Sequence, residues 1–270
     1  MEKIKNYIIN LAKMVNEKYG NIITEEMINQ AIDRYCKLNE DEEKVISDIN
    51  GAVKKVINDK LQENGYKDNI TYSRATAALD KVLRMLGKDS FRIFIAGGLV
   101  PYLLLDEDSN RLHSDIDTIC WAEDMDKLRN IFKAYGLYKD EWDSINYVTN
   151  GNDYGFEIVV DGVPLGIYPF TYENGVLTQF SYDPYSKKGK IKEIQLEKIS
   201  DYIMSYKAVN GQVYNTMSLE YIKMTKDKAH REKDVQDLVK ISKTGLLRDD
   251  VLNRIQMYKE IKNENLSKTK

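Results

Sequence analysis

Histidine and cysteine are almost missing from this chain: two of each in 270 residues. With His113 and His230 as the whole imidazole supply, a zinc centre is not expected. Cys36 and Cys120 stand far apart in apolar surroundings, which points to reduced core thiols. No apolar run approaches the ~20 residues needed to cross a bilayer. The start, Met1-Glu2-Lys3-Ile4-Lys5, opens an amphipathic helix and not a signal peptide. The expectation is a soluble cytoplasmic protein with no membrane partner. Charge of one sign is lacking too. Lys and Arg total 40 against 43 Asp and Glu, a net charge of −3, which argues against a chain built mainly to coat nucleic acid but leaves room for a local basic patch. There are four prolines, the first at Pro101. There are no repeats and no low-complexity blocks.

What is present begins with helix patterning. Ile4, Ile8, Leu11, Ala12 and Val15 share one helical face, and Gly20 ends that run. Thr24 caps a second helix through Tyr35. Asn39 with Glu42 makes a capping box for a third, which carries Val45, Ile46, Ile49, Val53, Val56 and Ile57 and closes at Gly65. Ser73 opens a fourth helix that Gly87 stops after Leu86. Strand and helix then alternate: a strand over 91–95, a short helix over 99–105, a strand over 115–121 and a helix over 124–135. Asp161-Gly162 is a two-residue turn signal joining strands 156–160 and 163–170. Two further β-like stretches fall near 177–182 and 190–196. From Lys198 onward the pattern reads as helical, with Ser218 as a cap. The fold class expected is α+β: a mixed sheet flanked by helices, with an N-terminal helical segment (1–70), a central core (71–205) and a C-terminal helical bundle (206–270).

The chemistry concentrates in one stretch. Ile95-Ala96-Gly97-Gly98 places a glycine pair at the end of an apolar strand, where bare backbone N–H groups at a helix start make a phosphate cradle. Arg111-Leu112-His113-Ser114-Asp115-Ile116-Asp117 follows. Asp115 and Asp117 are two apart, so on a strand they share a face. Like charges that close repel unless a cation lies between them, and Mg²⁺ is the hard cation that suits them. Phosphate, Mg²⁺ and paired acids together read as phosphoryl or nucleotidyl transfer. In that reading Asp115 and Asp117 are the metal ligands. Gly97 and Gly98, with Arg111 or Ser114 nearby, hold the phosphates of a nucleoside triphosphate.

Strand, Gly-Gly, short helix, then Arg-x-His-x-Asp-x-Asp resembles the nucleotidyltransferase superfamily with a polymerase-beta-like core. Gly97 to Asp117 looks most like the abortive-infection toxin and the lincosamide and aminoglycoside nucleotidyltransferases. A second match runs from Lys226 to Leu238, similar to a C-terminal helical motif in which a Lys precedes Arg-x-Lys-Asp-x-x-Asp. The resemblance implies that Lys226 reaches the triphosphate and that Arg231, Lys233 and Asp234 hold the C-terminal helices against the core, with Asp234 beside the nucleotide. Asp237 is the weaker member of the set. The resemblance implies as well that His113, beside the acids, shapes the site and is not a base. It also implies a third carboxylate on a later strand, where this chain has Leu165-Gly166-Ile167-Tyr168-Pro169. If Asp161-Gly162 is a two-residue turn, Val160 pairs with Val163 and Glu157 falls opposite Gly166, so that Glu157 supplies the third acid.

Three functions compete on this reading. The first is a toxin-like transferase acting on RNA, tRNA foremost, restrained by an antitoxin protein. The second is an antibiotic nucleotidyltransferase acting on a small molecule. The third is a non-catalytic protein that keeps the fold. Tyr168, Phe170, Tyr172, Phe180, Tyr182 and Tyr185 could stack on a base, although sheet packing is the commoner use of such a set.

Overall fold

The computed structural model describes residues 2–19, 21–38, 41–65, 69–138, 146–149, 151–183, 188–229 and 231–255. Gly20, Asn39, Tyr185 and His230 lie outside them. Helices α1 (Glu2–Tyr19), α2 (Glu25–Tyr35), α3 (Glu42–Gly65) and α4 (Tyr72–Leu86) come first. Strand β1 (Ile93–Ile95), helix α5 (Val100–Leu105), strand β2 (Ile116–Trp121) and helix α6 (Met125–Ala134) follow. Five strands come next, β3 (Asn146–Thr149), β4 (Asn152–Val160), β5 (Val163–Glu173), β6 (Val176–Asp183) and β7 (Lys188–Gln195). A hairpin, β8 (Ile203–Lys207) and β9 (Val213–Met217), then leads into helices α7 (Leu219–Ala229) and α8 (Glu232–Lys243).

Local signals place most of these elements. Thr24 caps α2 by accepting the Met27 N–H at 3.2 Å, and Ser218 caps α7 by accepting the Tyr221 N–H at 3.2 Å. The cap of α4 is Thr71, which accepts from Arg74 N–H, and not Ser73. Ser73 instead bonds the Thr71 hydroxyl from inside the first turn. The first strand also starts later than expected: Phe91 is exposed in a 3₁₀ turn that runs from Gly87 to Arg92.

The expectation of helix from Lys198 onward is overturned over residues 203–217. A short 3₁₀ turn at Ile199–Asp201 gives way to the β8–β9 hairpin, whose register pairs Tyr206 with Tyr214. Its loop carries Asn210-Gly211, with Gly211 at φ 89°, a turn signal that the helical reading passed over. Met204, Tyr206 and Ala208 alternate into the main core, a period-2 pattern that helix spacing does not produce.

Among the described residues nine strands form one mixed sheet. Its main path runs β3-β4-β5-β2-β1-β9-β8, with β6 and β7 continuing from the far end of β5. β2 and β5 are parallel, as are β1 and β9. The β4–β5 hairpin turns through Asp161 and Gly162, both at positive φ (52° and 76°), the backbone of a tight turn matched to strand twist. That turn fixes the register Val160↔Val163 and Glu157↔Gly166.

Alternation along the strands divides the sheet into two faces. Ile116 and Cys120 of β2, with Phe156, Ile158 and Val160 of β4, pack in the main core against α4, α5 and α6. Asp117, Ile119 and Trp121 point the other way. On that second face α1–α3 pack against Tyr147, Tyr154, Val159, Phe180 and Tyr182. Tyr221 and Met224 of α7, with Val251 and Ile255, cover Ile119, Phe170 and Tyr202. The candidate site lies between these two helical covers.

Candidate active site

Asp117, Gly166 and Glu157 form one row across β2, β5 and β4, since Asp117 pairs with Gly166 and Gly166 with Glu157. Residues paired in this way project from the same face. Asp115 lies just ahead of β2, which begins at Ile116 and not at 115 as expected, and borders the same cavity as Asp117. Its carboxylate accepts a hydrogen bond from the Ser114 hydroxyl at 2.8 Å. Ser114 therefore orients an acid, a role the phosphate-binding expectation did not include.

Asp117 opens onto solvent through the cavities described below, yet protein encloses its carboxylate on the other sides. Desolvation raises its pKa, the Asp115 charge raises it further, and Lys226 and Lys233 pull it down. Glu157 is buried. Desolvation first, then Asp115 and Asp117, push its pKa up to about 8, against a hydrogen bond from the Tyr147 hydroxyl that lowers it. Three acids that repel one another are the electrostatic signature of a site made for a cation or a proton.

The glycine pair is held tightly to these acids. Ala96 N–H donates to the Asp117 carbonyl at 2.9 Å. Gly97 adopts φ +71°, and a Cβ there would lie 3.3 Å from Asp117 Oδ2. At Gly98 a Cβ would lie 2.4 Å from Asp237 Oδ2 and 2.6 Å from an Arg111 nitrogen. A side chain at position 98 would force this ion pair to shift, because the pair presses directly on the backbone.

That ion pair belongs to a buried network. Arg111 reaches both carboxylate oxygens of Asp237 at 3.1 Å. Lys226 Nζ lies 2.5 Å from Asp237 and 3.1 Å from Asp234. Arg231 caps α8 and donates to Asp234 at 2.7 Å. Asp234 and Asp237 have no exposed surface, and Arg231, ahead of Lys226, holds the Asp234 carboxyl well below the usual range. Asp237, the weaker member of the motif by sequence, is the hub that ties the C-terminal helices to Arg111 and Gly98. His113 is pinned by Ser109 at 2.8 Å and by paired backbone bonds to Ile70.

Two cavities meet at Asp117. One, of about 370 Å³, is lined by Gly97, Gly98, Arg111, Asp115, Lys226 and Asp234, along with Arg231, Lys233 and Asp237. Every nucleotide-site residue expected from sequence except Glu157 borders it. Four carboxylates and four cationic side chains balance there, with Asp115, Asp117, Asp234 and Asp237 facing Arg111, Lys226, Arg231 and Lys233. The buried Arg111 Nε has no hydrogen-bond partner. The other cavity, about 420 Å³, shares Ala96, Gly97, Asp117 and Thr225 with the first and is walled by aromatic rings.

The place over Gly166 is already filled. A Cβ there would lie 2.7 Å from the Tyr168 ring and 2.9 Å from its hydroxyl. Tyr168 and the Gln179–Tyr202–Tyr221 cluster are the site-bordering residues that sequence reasoning placed least well, since strand aromatics read first as packing. Among the described residues no group of three or more His, Cys, Asp or Glu side chains forms a ready metal cage. Among the described residues no helix is long and apolar enough to cross a membrane.

No family model and no curated protein matches this chain. Among solved structures it is similar to the antibiotic-resistance factor ANT(2'')-Ia in solution, at 16% identity over 72% of this chain and 95% of that one, with a TM-score of 0.46. It is also similar to ANT(2'')-Ia in complex with adenylyl-2''-tobramycin, at 16% identity over 70% and 98%, with a TM-score of 0.44. A candidate nucleotidyltransferase of Thermotoga maritima matches at 15% identity over 61% and 90%, with a TM-score of 0.36.

Proposed function

We propose that the chain is a nucleotidyltransferase, which moves a nucleoside monophosphate from a nucleoside triphosphate to a hydroxyl acceptor with release of pyrophosphate. One observation carries the reading: Asp115, just ahead of β2, and Asp117 on it border one cavity walled by the Gly97-Gly98 turn and four cationic side chains.

Mg²⁺ suits this donor set. It is commonly held by one or two carboxylates, with substrate phosphates and water completing the shell, and does not need an all-protein cage. Asp115 and Asp117 would hold it, and when bound it would neutralise phosphate charge and polarise the phosphoryl oxygens. The balanced cavity walls need such a contribution before a polyanion is welcome.

The chain's own residues supply the rest. Backbone N–H groups of the Gly97-Gly98 turn face the phosphates. Arg111, Lys226 and Lys233 add positive charge around the departing pyrophosphate, and Asp234 and Asp237 fix Arg111 and Lys226 in place. Glu157, on the face that carries Asp117, takes the acceptor hydroxyl's proton only in its ionised form, which a pKa pushed up to about 8 makes the minority at neutral pH, so transfer should rise with pH toward 8 as the oxygen attacks the α-phosphorus in line. The acceptor proposed is an RNA hydroxyl, and a toxin-like role would follow from that.

A second reading has its own support. The Tyr168 ring over Gly166 fits a chain that keeps the fold and binds nucleotide without turnover. The test is incubation with each labelled nucleoside triphosphate, Mg²⁺ and either total RNA or a panel of hydroxylated antibiotics, beside Asp115→Asn and Asp117→Asn. Transfer to RNA that falls on the order of 10³-fold in either variant is expected. Label on an antibiotic alone moves the acceptor to a small molecule. Nucleotide binding with no transfer to anything sinks the enzyme reading.

A further inference from the structure

The second cavity differs from the first in charge. Of its lining residues only Asp117 is an acid and only Lys192 a strong base, and its walls are rings, among them Tyr168, Phe180, Tyr182, Tyr202 and Tyr221. Its volume, about 420 Å³, falls within the range of small-ligand sites. A polycationic amino sugar would meet one carboxylate there, the one already committed to the phosphate side. A planar uncharged ring would meet stacking surfaces on several sides.

One side chain in this cavity is held in a fixed plane. Gln179 on β6 lies opposite Phe170 of β5 and Lys192 of β7. Its amide nitrogen donates to the Tyr202 hydroxyl at 2.7 Å, and its amide oxygen accepts from the Tyr221 hydroxyl at 2.7 Å. Both tyrosines are buried, and the Tyr221 ring carries Lys192 Nζ over it at 5.9 Å. A primary amide has two N–H donors and an oxygen with two lone pairs. The tyrosines occupy one of each, so Gln179 keeps one donor and one acceptor in a fixed plane beside the cavity. Nucleobase edges carry an adjacent donor and acceptor, and a Gln amide pairs with such an edge through two hydrogen bonds.

We infer that the aromatic cavity beside Asp117 seats a nucleobase, stacked on its rings and read at its edge by Gln179, which Tyr202 and Tyr221 lock in place. The inference deepens the transferase reading and rests on it for direction: phosphates lie on the cationic side of Asp117, a base on the aromatic side. The base belongs either to the donor triphosphate or to a nucleotide of an RNA acceptor, and the two sources separate experimentally.

The experiment is binding without turnover, by calorimetry in Mg²⁺ buffer, on the full chain and on Gln179→Leu and Tyr221→Phe. Tyr221→Phe removes one hydroxyl and keeps the packing, so it guards against a folding defect in Gln179→Leu; thermal melts of both are recorded. The probes are ATP, inorganic tripolyphosphate, the dinucleotide ApA and tobramycin. If the base is the donor's, ATP weakens by about tenfold or more in both variants while tripolyphosphate is unchanged. If it is the acceptor's, ApA weakens to that extent and ATP does not. Unchanged affinity for both ATP and ApA in folded variants overturns the assignment, as does tobramycin binding to the full chain more tightly than ApA and weakening in both variants. Absence of transfer in the labelling assay with these base-dependent losses intact would sink the enzyme reading and leave the cavity assignment standing.

Discussion

At the scale of single residues, the site depends on three glycines that act by what they leave out. Gly98 leaves room for the Asp237–Arg111 pair, and Gly97 accepts a positive φ beside Asp117. Gly98→Ala should therefore cost about 2 kcal/mol by overpacking and displace Arg111, which a denaturant midpoint and a nucleotide-binding titration would read together. At Gly166 the vacancy is taken by Tyr168, and Glu157, the second acid of this row, lies on the neighbouring strand. Glu157→Gln should lower transfer on the order of 10²-fold or more without lowering thermal stability, because Gln resembles the protonated acid that burial favours. The pH dependence has a definite sign. The folded pKa, about 8, lies above the usual 4.5, so in metal-free buffer this group's contribution is fully present below about pH 4.5 and is lost as pH rises through 8. Melting curves across that window should show the slope in the parent chain and a shallower one in the variant. Equal slopes would mean Glu157 is not buried as a neutral acid.

At the scale of elements, helix α8 and the β4–β5 hairpin carry the site. The hairpin's two-residue turn sets which face Glu157 occupies, since a slip of one residue would send it into the α4–α6 core. Helix α8 carries Asp234 and Asp237 on one face, three apart, where each meets a cation. Asp234→Asn would leave Arg231 and Lys226 short of a partner, at a cost of about 3 kcal/mol for a broken buried pair. The folded Asp234 carboxyl is held below its ordinary value. Its stabilisation is therefore present above the unfolded pKa of about 3.9 and fades as pH falls below it. Acid-unfolding curves should show the parent chain losing its advantage over Asp234→Asn as pH drops below about 4. A constant gap down to the lowest pH reached would contradict the pairing.

At the scale of the whole molecule, one sheet separates a helical core from a working face, and that face is flanked by α1–α3 on one side and by α7 and its C-terminal neighbours on the other. The acids are drawn together by this folding and not by any attraction of their own, so a divalent cation should return stability to the assembled chain. Mg²⁺ at roughly tenfold above its Kd should raise Tm by about 2–4 °C, and Asp115→Asn/Asp117→Asn should abolish the shift. An equal shift in that double variant would place the cation elsewhere.

The sequence by itself determined the parts that rest on local chemistry. The amphipathic faces of α1–α3, the Thr24 and Ser218 caps, the Asp161-Gly162 turn and with it the Glu157–Gly166 register all follow from spacing and turn residues within a few positions of each other. Asp117 on β2, Asp115 just ahead of it and the Gly97-Gly98 turn also lie within short windows, and they border one cavity. Only the tertiary structure decided what depends on distant segments meeting. Residues 203–217 became strands because β9 had an edge of β1 to pair with. Asp237 became a hub because Arg111, 126 positions away, and Lys226 converge on it. Tyr168 filled the place over Gly166, and Gln179 was fixed between two tyrosines that come to it from Tyr202 and from helix α7. Local propensity is encoded in short windows, whereas burial, charge pairing and cavity shape arise when separate parts of the chain displace water from one another.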